Sequence, residues 1–147
     1  MSFTVIIDKK TNIKLYNLNK NQYNKYLFNI NQLLNTNIIY FIGKNFKNAN
    51  FFSLFIEECD LTKLLDKDDI TNSYDSFHIL NLYEDDCGIN HIGTVNYISN
   101  IFMKNQISIL YINTFNENII LVSEKDLENA IMSLYSYIDN DKIKIVN

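Results

Sequence analysis

The apolar positions of residues 77–146 follow a regular order of strand-like and helix-like segments. A nearly continuous apolar run over Phe77–Tyr83 is typical of a buried strand, and a polar stretch at 84–88 ends it. From Asn90 to Lys104 the apolar side chains recur at helical spacing, at Ile92, Val95, Ile98, Ile101 and Phe102. The pattern therefore predicts a buried strand followed by a helix with one apolar face.

The rest of this segment predicts two more strands, a helix and a last strand. Both faces of Ile107–Thr114 are apolar, so we expect a central strand there, and Ile119–Val122 returns beside it. Ser123 and Asp126 have the spacing of a capping box at the start of the next helix. The apolar stripe of that helix is Leu127, Ala130, Ile131, Leu134 and Ile138. An edge strand over Lys142–Ile145 completes a β-α-β-β-α-β order, the ferredoxin-like plan.

The N-terminal half repeats this pattern less completely. Its predicted elements are strands at Phe3–Ile7 and Ile13–Leu18 joined by a turn, a helix over about 21–35, and strands at 38–42, 51–56 and 61–65. No second helix is evident, so we expect a truncated copy of the same unit. The polar stretch 67–76 marks the boundary. The expected fold class is α+β, with two ferredoxin-like βαββαβ units side by side: a truncated one at 1–72 and a complete one at 73–147.

Composition and charge exclude several classes of function. The 147 residues carry a net charge of -4, and all 13 basic residues are lysines, so an arginine clamp on a phosphate is impossible within this chain. The acidic balance argues against nucleic-acid binding. No apolar stretch approaches the ~20 residues of a membrane span, and no export signal is evident. Together with two cysteines that read as reduced thiols, these features lead us to expect a cytoplasmic protein.

The loop after the Phe77 strand holds most of the candidate chemistry. Gly88 and Gly93 have the spacing of a phosphate-binding loop, but the required lysine is missing. Cys87 and His91 lack the paired ligands of a metal site, and Asp86 fits either a solvated turn or capture of a ligand ammonium group. No acid–base constellation or nucleophile elbow stands out. We therefore expect a protein that is not an enzyme and uses no cofactor or metal.

Three stretches carry a resemblance to a known family. The sequences Gly88-Ile89-Asn90-His91-Ile92, Gln106 to Phe115, and Ile119 to Leu127 resemble the second ACT domain of the CASTOR-type arginine sensors. Phe51-Phe52-Ser53-Leu54 and the segment 60–69 resemble the first half of those sensors more loosely. The chain is thus similar to the N-terminal half of such a sensor. The same paired ACT unit resembles the regulatory part of aspartate kinases.

This resemblance implies a regulatory module that binds an amino acid or similar small molecule between ACT domains. A Ser-hydrophobic pair contacts the ligand in the family, and it falls on Ser108 and Ile109 here. A helix N-terminus after Gly88 would hold the ligand carboxylate. The ligand-binding residues predicted in this way are Asp86, Gly88, Ile89, Asn90, Ser108 and Ile109. The alternative function is a protein-interaction scaffold with an ACT fold and no small-molecule ligand.

Assembly follows from the same resemblance, because this chain holds about half of a sensor's ACT domains. The other wall of the site would have to come from a second chain. We therefore expect a homodimer or an ACT-containing partner, with the interface near the Asn90 helix or the Ile107 strand.

Overall fold

The structure, a computed structural model, describes residues 3–32, 40–44, 51–69, 73–84, 93–113 and 118–147. Its strands are β1 (Phe3–Asn19), β2 (Tyr40–Lys44), β3 (Phe51–Glu57), β4 (Ser73–Glu84), β5 (Ile109–Asn113), β6 (Asn118–Ser123) and β7 (Ile143–Val146). Its helices are α1 (Lys20–Gln32), α2 (Glu58–Leu64), α3 (Thr94–Lys104) and α4 (Leu127–Tyr137). The mixed α/β order with mostly antiparallel pairing is consistent with the expected ferredoxin-like class.

The chain packs as two compact units. One consists of residues 1–11 and 77–147, and the other consists of residues 12–76. The first residues of β1 thus pack with the C-terminal unit, whereas the sequence analysis had grouped all of 1–72 together. The division into domains at 1–72 and 73–147 stays a prediction.

The C-terminal unit packs α3 and α4 against one face of its strands. β1 pairs with β7 in parallel, with Val5 opposite Ile143, while β4 and β5 each pair antiparallel with β6. The core holds Phe3, Val5, Leu80, Ile98, Ile101, Phe102, Ile120, Val122, Ala130 and Ile138, among others. The predicted burial of Leu127, Ile131 and Leu134 is confirmed. Val95 is half-buried, and Ile92 lies outside the described residues.

Two predictions for this unit are wrong. β5 is an edge strand rather than a central one, because β6 is its neighbour and β5 ends the strand order. Ser123 does not act through a capping box, since a short 3₁₀ turn over Glu124–Asp126 follows it and its side chain makes no capping hydrogen bond. Ser123 is instead a buried residue at the end of β6.

The N-terminal unit places β3 between β2 and the second part of β1. Its core joins α1, α2 and the strands through Tyr16, Leu18, Tyr26, Ile30, Leu54, Ile56, Leu64 and Leu65. The expected strand at 61–65 is wrong, and so is the expectation that no second helix follows. α2 covers most of that range, and two acidic residues in its first turn, Glu58 and Asp60, favour a helix there.

A turn was also expected at residues 8–12, but β1 is one strand of 17 residues. The turn chemistry is present, because the Asp8 carboxylate accepts backbone N–H bonds from Lys10 and Thr11 at 2.8 and 3.0 Å. Pairing with β7 before this point and with β3 after it keeps the backbone extended. Long-range strand pairing therefore overrides the local turn signal.

Candidate functional site

The predicted ligand-binding residues divide into two groups. Asp86, Gly88, Ile89 and Asn90 lie outside the described residues, as do Cys87 and His91 of the metal hypothesis. Ser108 is exposed and directly precedes β5, and Ile109 is half-buried against the core of the C-terminal unit. The other histidine, His78, is buried in β4 with Nδ1 3.3 Å from the carbonyl oxygen of Asp8.

Strand register places Ser108 far from the end of β4. Ile109 lies opposite Val122 of β6, and His78 lies opposite the same residue from the other side. Ser108 is therefore level with Phe77 in the middle of β4, while Glu84 ends β4 roughly 20 Å further along the strand direction at ~3.3 Å per residue. One copy of the chain does not bring Ser108 and Glu84 together.

The amino end of α3 has features of an anion site. Gly93 precedes the helix with φ 114°, a left-handed conformation that suits glycine. Thr94 is fully buried, and its hydroxyl has no hydrogen-bond partner within the described part of the chain. Free backbone N–H groups and the helix dipole favour negative charge at such an end.

A concave pocket of about 280 Å³ lies in the C-terminal unit. It is lined by Phe3, Tyr97, Tyr137, Ile138, Asp139 and Lys142. Its walls come from the start of β1, the first turn of α3, the end of α4 and the turn before β7. Sequence reasoning missed these residues. The signals available were two tyrosines off the apolar stripes and an i,i+3 acid–base pair.

A group of potential metal ligands occurs at the start of α2. One ligand atom each of Glu57, Cys59 and Asp60 lies within 4.8 Å of the others. Asp60 is already ion-paired to Lys63 at 2.5 Å. Partial desolvation and the neighbouring Glu57 raise the pKa of the exposed Cys59 thiol. A protonated thiol and a paired carboxylate are poor cation ligands, so we assign no metal site to this group.

A polar cluster fixes the segment after α2 to α1. Lys25 Nζ contacts carboxylate oxygens of Asp66 at 2.7 Å and of Asp69 at 2.8 Å. The buried Tyr26 donates its hydroxyl proton to Asp69 and accepts the backbone N–H of Asp66 at 3.1 Å. Hydrogen bonds from Lys25 and Tyr26 lower the pKa of Asp69 to about 2. This cluster stabilises the packing of α1 against the segment after α2 in the N-terminal unit.

Part of this chain is similar to a known protein family. The sequence profile of the ACT domain matches residues 72–136. No curated protein sequence matches the chain. None of the helices in the described part of the chain has the length and apolar character that crossing a bilayer requires.

Solved structures share the fold. A protein from Agrobacterium tumefaciens superposes with a TM-score of 0.65 at 15% identity, over 99% of this chain and 93% of that one. The regulatory subunit of aspartate kinase from Thermus thermophilus, in a ligand-free form, gives 0.63 at 7% identity, over 92% of this chain and 97% of that one. Aspartate kinase from Clostridium acetobutylicum, described as an allosteric enzyme, gives 0.58 at 17% identity, over 92% of this chain and 33% of that one. The chain therefore has the fold of aspartate kinase regulatory domains, and its residues 72–136 match the ACT domain.

Proposed function

We propose that this chain is a non-catalytic regulatory module that binds an amino acid or similar small molecule at an interface between ACT units of two copies. The match of residues 72–136 to the ACT domain is the observation that carries this proposal. The N-terminal unit is the less complete of two ACT-like units, since α2 has 7 residues against 11 in α4. The finer likeness to CASTOR-type sensors is part of the same proposal.

The edge strand β5 supports pairing between two copies. Its residues Ile109–Asn113 carry no charge, and Leu110 and Tyr111 are each 39% exposed. Natural edge strands are usually protected by lysine, proline or a bulge, because unpaired backbone groups recruit another strand. The described residues of β5, Ile109–Asn113, include no lysine or proline, so we propose that the same strand of a second copy covers it.

Antiparallel pairing of two β5 strands would also bring Ser108 nearer to the end of β4 than it lies within one copy. With Tyr111 at the centre, Ile109 of one copy lies opposite Asn113 of the other. Asn113 is level with Asn118 and hence with Leu82 near the end of β4. Ser108 of one copy would then approach the level at which β4 of the other copy ends. Pairing of two copies would thus remove the offset along the strand direction, leaving Ser108 about three strand spacings (~14 Å) from β4 of the second copy.

Leu110→Lys should convert the dimer to a monomer, because a lysine on an edge strand opposes strand addition. Light scattering at high micromolar concentration measures the mass, and Met103→Lys is the matched control, since Met103 is 66% exposed on α3. We expect the control to stay dimeric and both melting temperatures to remain close to wild type. A wild-type protein that is monomeric with and without ligands contradicts this proposal.

Ser108→Ala should weaken ligand binding about tenfold to hundredfold, the cost of one hydrogen bond to a charged ligand. A thermal-shift screen against the twenty amino acids identifies the ligand, because binding raises stability by RT ln(1 + [L]/Kd). Calorimetry then compares Ser108→Ala with Ser136→Ala, an exposed serine on α4. We expect the first variant to bind more weakly while melting within a few degrees of wild type. Unchanged affinity in both Ser108→Ala and Asp86→Ala would move the site elsewhere.

The same edge strand favours one alternative function. If no amino acid shifts the melting curve, β5 serves a protein-interaction scaffold that docks a partner strand. Under either function we propose a cytoplasmic location, because Cys59 is an exposed unpaired thiol, which is typical of a reducing compartment.

A further inference from the structure

The pocket at the end of α4 has the composition of a small-molecule site. Phe3 and Ile138 form a buried apolar floor, and the half-exposed rings of Tyr97 and Tyr137 form its walls. Pockets that bind small molecules combine such apolar and aromatic walls with a few polar groups that fix the ligand's orientation. Here those polar groups are the side chains of Asp139 and Lys142.

The walls are held in place by contacts among themselves. The Tyr97 hydroxyl donates to the carbonyl oxygen of Tyr137 at 2.8 Å, which ties α3 to the end of α4. The rings of Phe3 and Tyr97 meet edge to face, with centroids 6.1 Å apart. Because the Phe3 and Tyr97 rings are held before a ligand arrives, binding loses little of their side-chain entropy. An aromatic ring can enter against edges and faces that are already oriented.

The two charges at the pocket have opposite signs and a loose mutual contact. Lys142 Nζ lies 3.7 Å from a carboxylate oxygen of Asp139 and 5.9 Å from the centre of the Phe3 ring. The Asp139 side chain is 80% exposed, so its oxygens are open to another donor. A long, exposed ion pair contributes little by itself. A ligand with both an anionic and a cationic group can therefore replace it at little cost.

We propose that this pocket binds the zwitterion of an aromatic amino acid, at a second site that shares no residue with the Ser108 site. The ligand ring lies among Phe3, Tyr97 and Tyr137. The ligand carboxylate accepts hydrogen bonds from Lys142, and the ligand ammonium group donates to Asp139. A volume of about 280 Å³ holds one ring and its head group, and a single lysine is too little charge for a polyphosphate.

Calorimetry with L-phenylalanine tests this site on the full chain. Phenylpropionate lacks the ammonium group, phenethylamine lacks the carboxylate, and L-leucine lacks the ring. We expect saturable binding of L-phenylalanine and at least about tenfold weaker binding of each comparison compound, because each loses one of the three contacts. Equal affinity for L-phenylalanine and phenylpropionate would overturn the role of Asp139. No binding of L-phenylalanine at millimolar concentration would overturn the site.

Variants of the two charged pocket residues, each with a matched control, test where the ligand binds. Lys142→Gln and Asp139→Asn should each weaken L-phenylalanine binding about tenfold or more. Lys144→Gln on β7 and Asp141→Asn in the same turn remove the same charges outside this pocket, so they should bind as wild type. Circular dichroism and melting temperature check that all four variants fold. If the two control variants bind L-phenylalanine equally weakly, the loss of affinity follows from the net charge of the protein, and the site is overturned.

The Ser108→Ala variant distinguishes binding in the aromatic pocket from binding at the Ser108 site. It should leave L-phenylalanine affinity unchanged if the ligand occupies the aromatic pocket. If Ser108→Ala weakens L-phenylalanine binding and Lys142→Gln does not, the ligand occupies the Ser108 site and the second site is overturned. A third outcome is that only non-aromatic amino acids bind and that their binding depends on Ser108. This outcome would support the proposed function and overturn the proposal that the aromatic pocket is a binding site.

Discussion

Phe102→Ala should lower the free energy of unfolding by about 3–5 kcal/mol, the cost of removing a large aromatic side chain from a packed core. Phe102 is fully buried on α3 and belongs to the core of the C-terminal unit. A domain of ordinary stability has only ~5–15 kcal/mol in total, so the variant should lose a large share of its stability. Urea denaturation followed by circular dichroism measures the loss.

The control for this experiment is the next residue of the same helix. Met103 is 66% exposed, so Met103→Ala removes a large side chain from the solvent-exposed side of α3. We expect a change within about 0.5 kcal/mol, as for most surface substitutions. Similar losses in the two variants would contradict the orientation of α3 against its strands.

The helices of the C-terminal unit could be predicted because their buried residues recur in the sequence with the period of an α-helix. Leu127, Ile131 and Leu134 recur at helical spacing, and all three are buried on one face of α4. The same holds for Ile98 and Phe102 on α3. A helix satisfies its own backbone hydrogen bonds, so its sequence needs to specify only which side faces the core.

Strands are harder to place, because their backbone partners lie elsewhere in the chain. Ile107–Thr114 is apolar on both faces, but this pattern does not fix how many strands flank it, and β5 has one neighbour among the described strands. Residues 8–12 are polar and resemble a turn, yet pairing with β7 and β3 on either side makes β1 continuous. In both cases distant pairing, not local composition, sets the outcome.

Register also decides what the candidate site can be. The sequence analysis expects Ser108 and the loop after Glu84 to form one site, but the separation of Ser108 from Glu84 along the strands follows only from which residues of β4, β5 and β6 lie side by side. The aromatic pocket is a stronger example, since Phe3 and Lys142 stand at opposite ends of the chain. Parallel pairing of β1 with β7 explains why both can line one pocket.

Tyr26→Phe should lower the free energy of unfolding by about 1.5–3 kcal/mol, because it removes a hydrogen bond to a charged carboxylate and keeps the ring. Tyr26 is buried in the N-terminal unit, where its hydroxyl joins Asp69 to the backbone of Asp66. Tyr23→Phe is the matched control on the same helix, since Tyr23 acts through ring stacking on Phe52 at 3.9 Å. We expect the control to change stability by less than about 0.5 kcal/mol.

The loss in Tyr26→Phe should depend on pH in a defined direction. Hydrogen bonds from Lys25 and Tyr26 lower the pKa of Asp69 from 3.8 to about 2 in the folded protein. A lowered folded-state pKa stabilises the protein fully above the unfolded value, and this stabilisation is lost as the pH falls from about 4 towards 2. The difference in unfolding free energy between wild type and Tyr26→Phe should therefore be largest near neutral pH and shrink below pH 4. Urea titrations at pH 7 and at about pH 2.5 measure it, and an equal difference at both values would mean that the ionised Asp69 is not the partner that makes Tyr26 important.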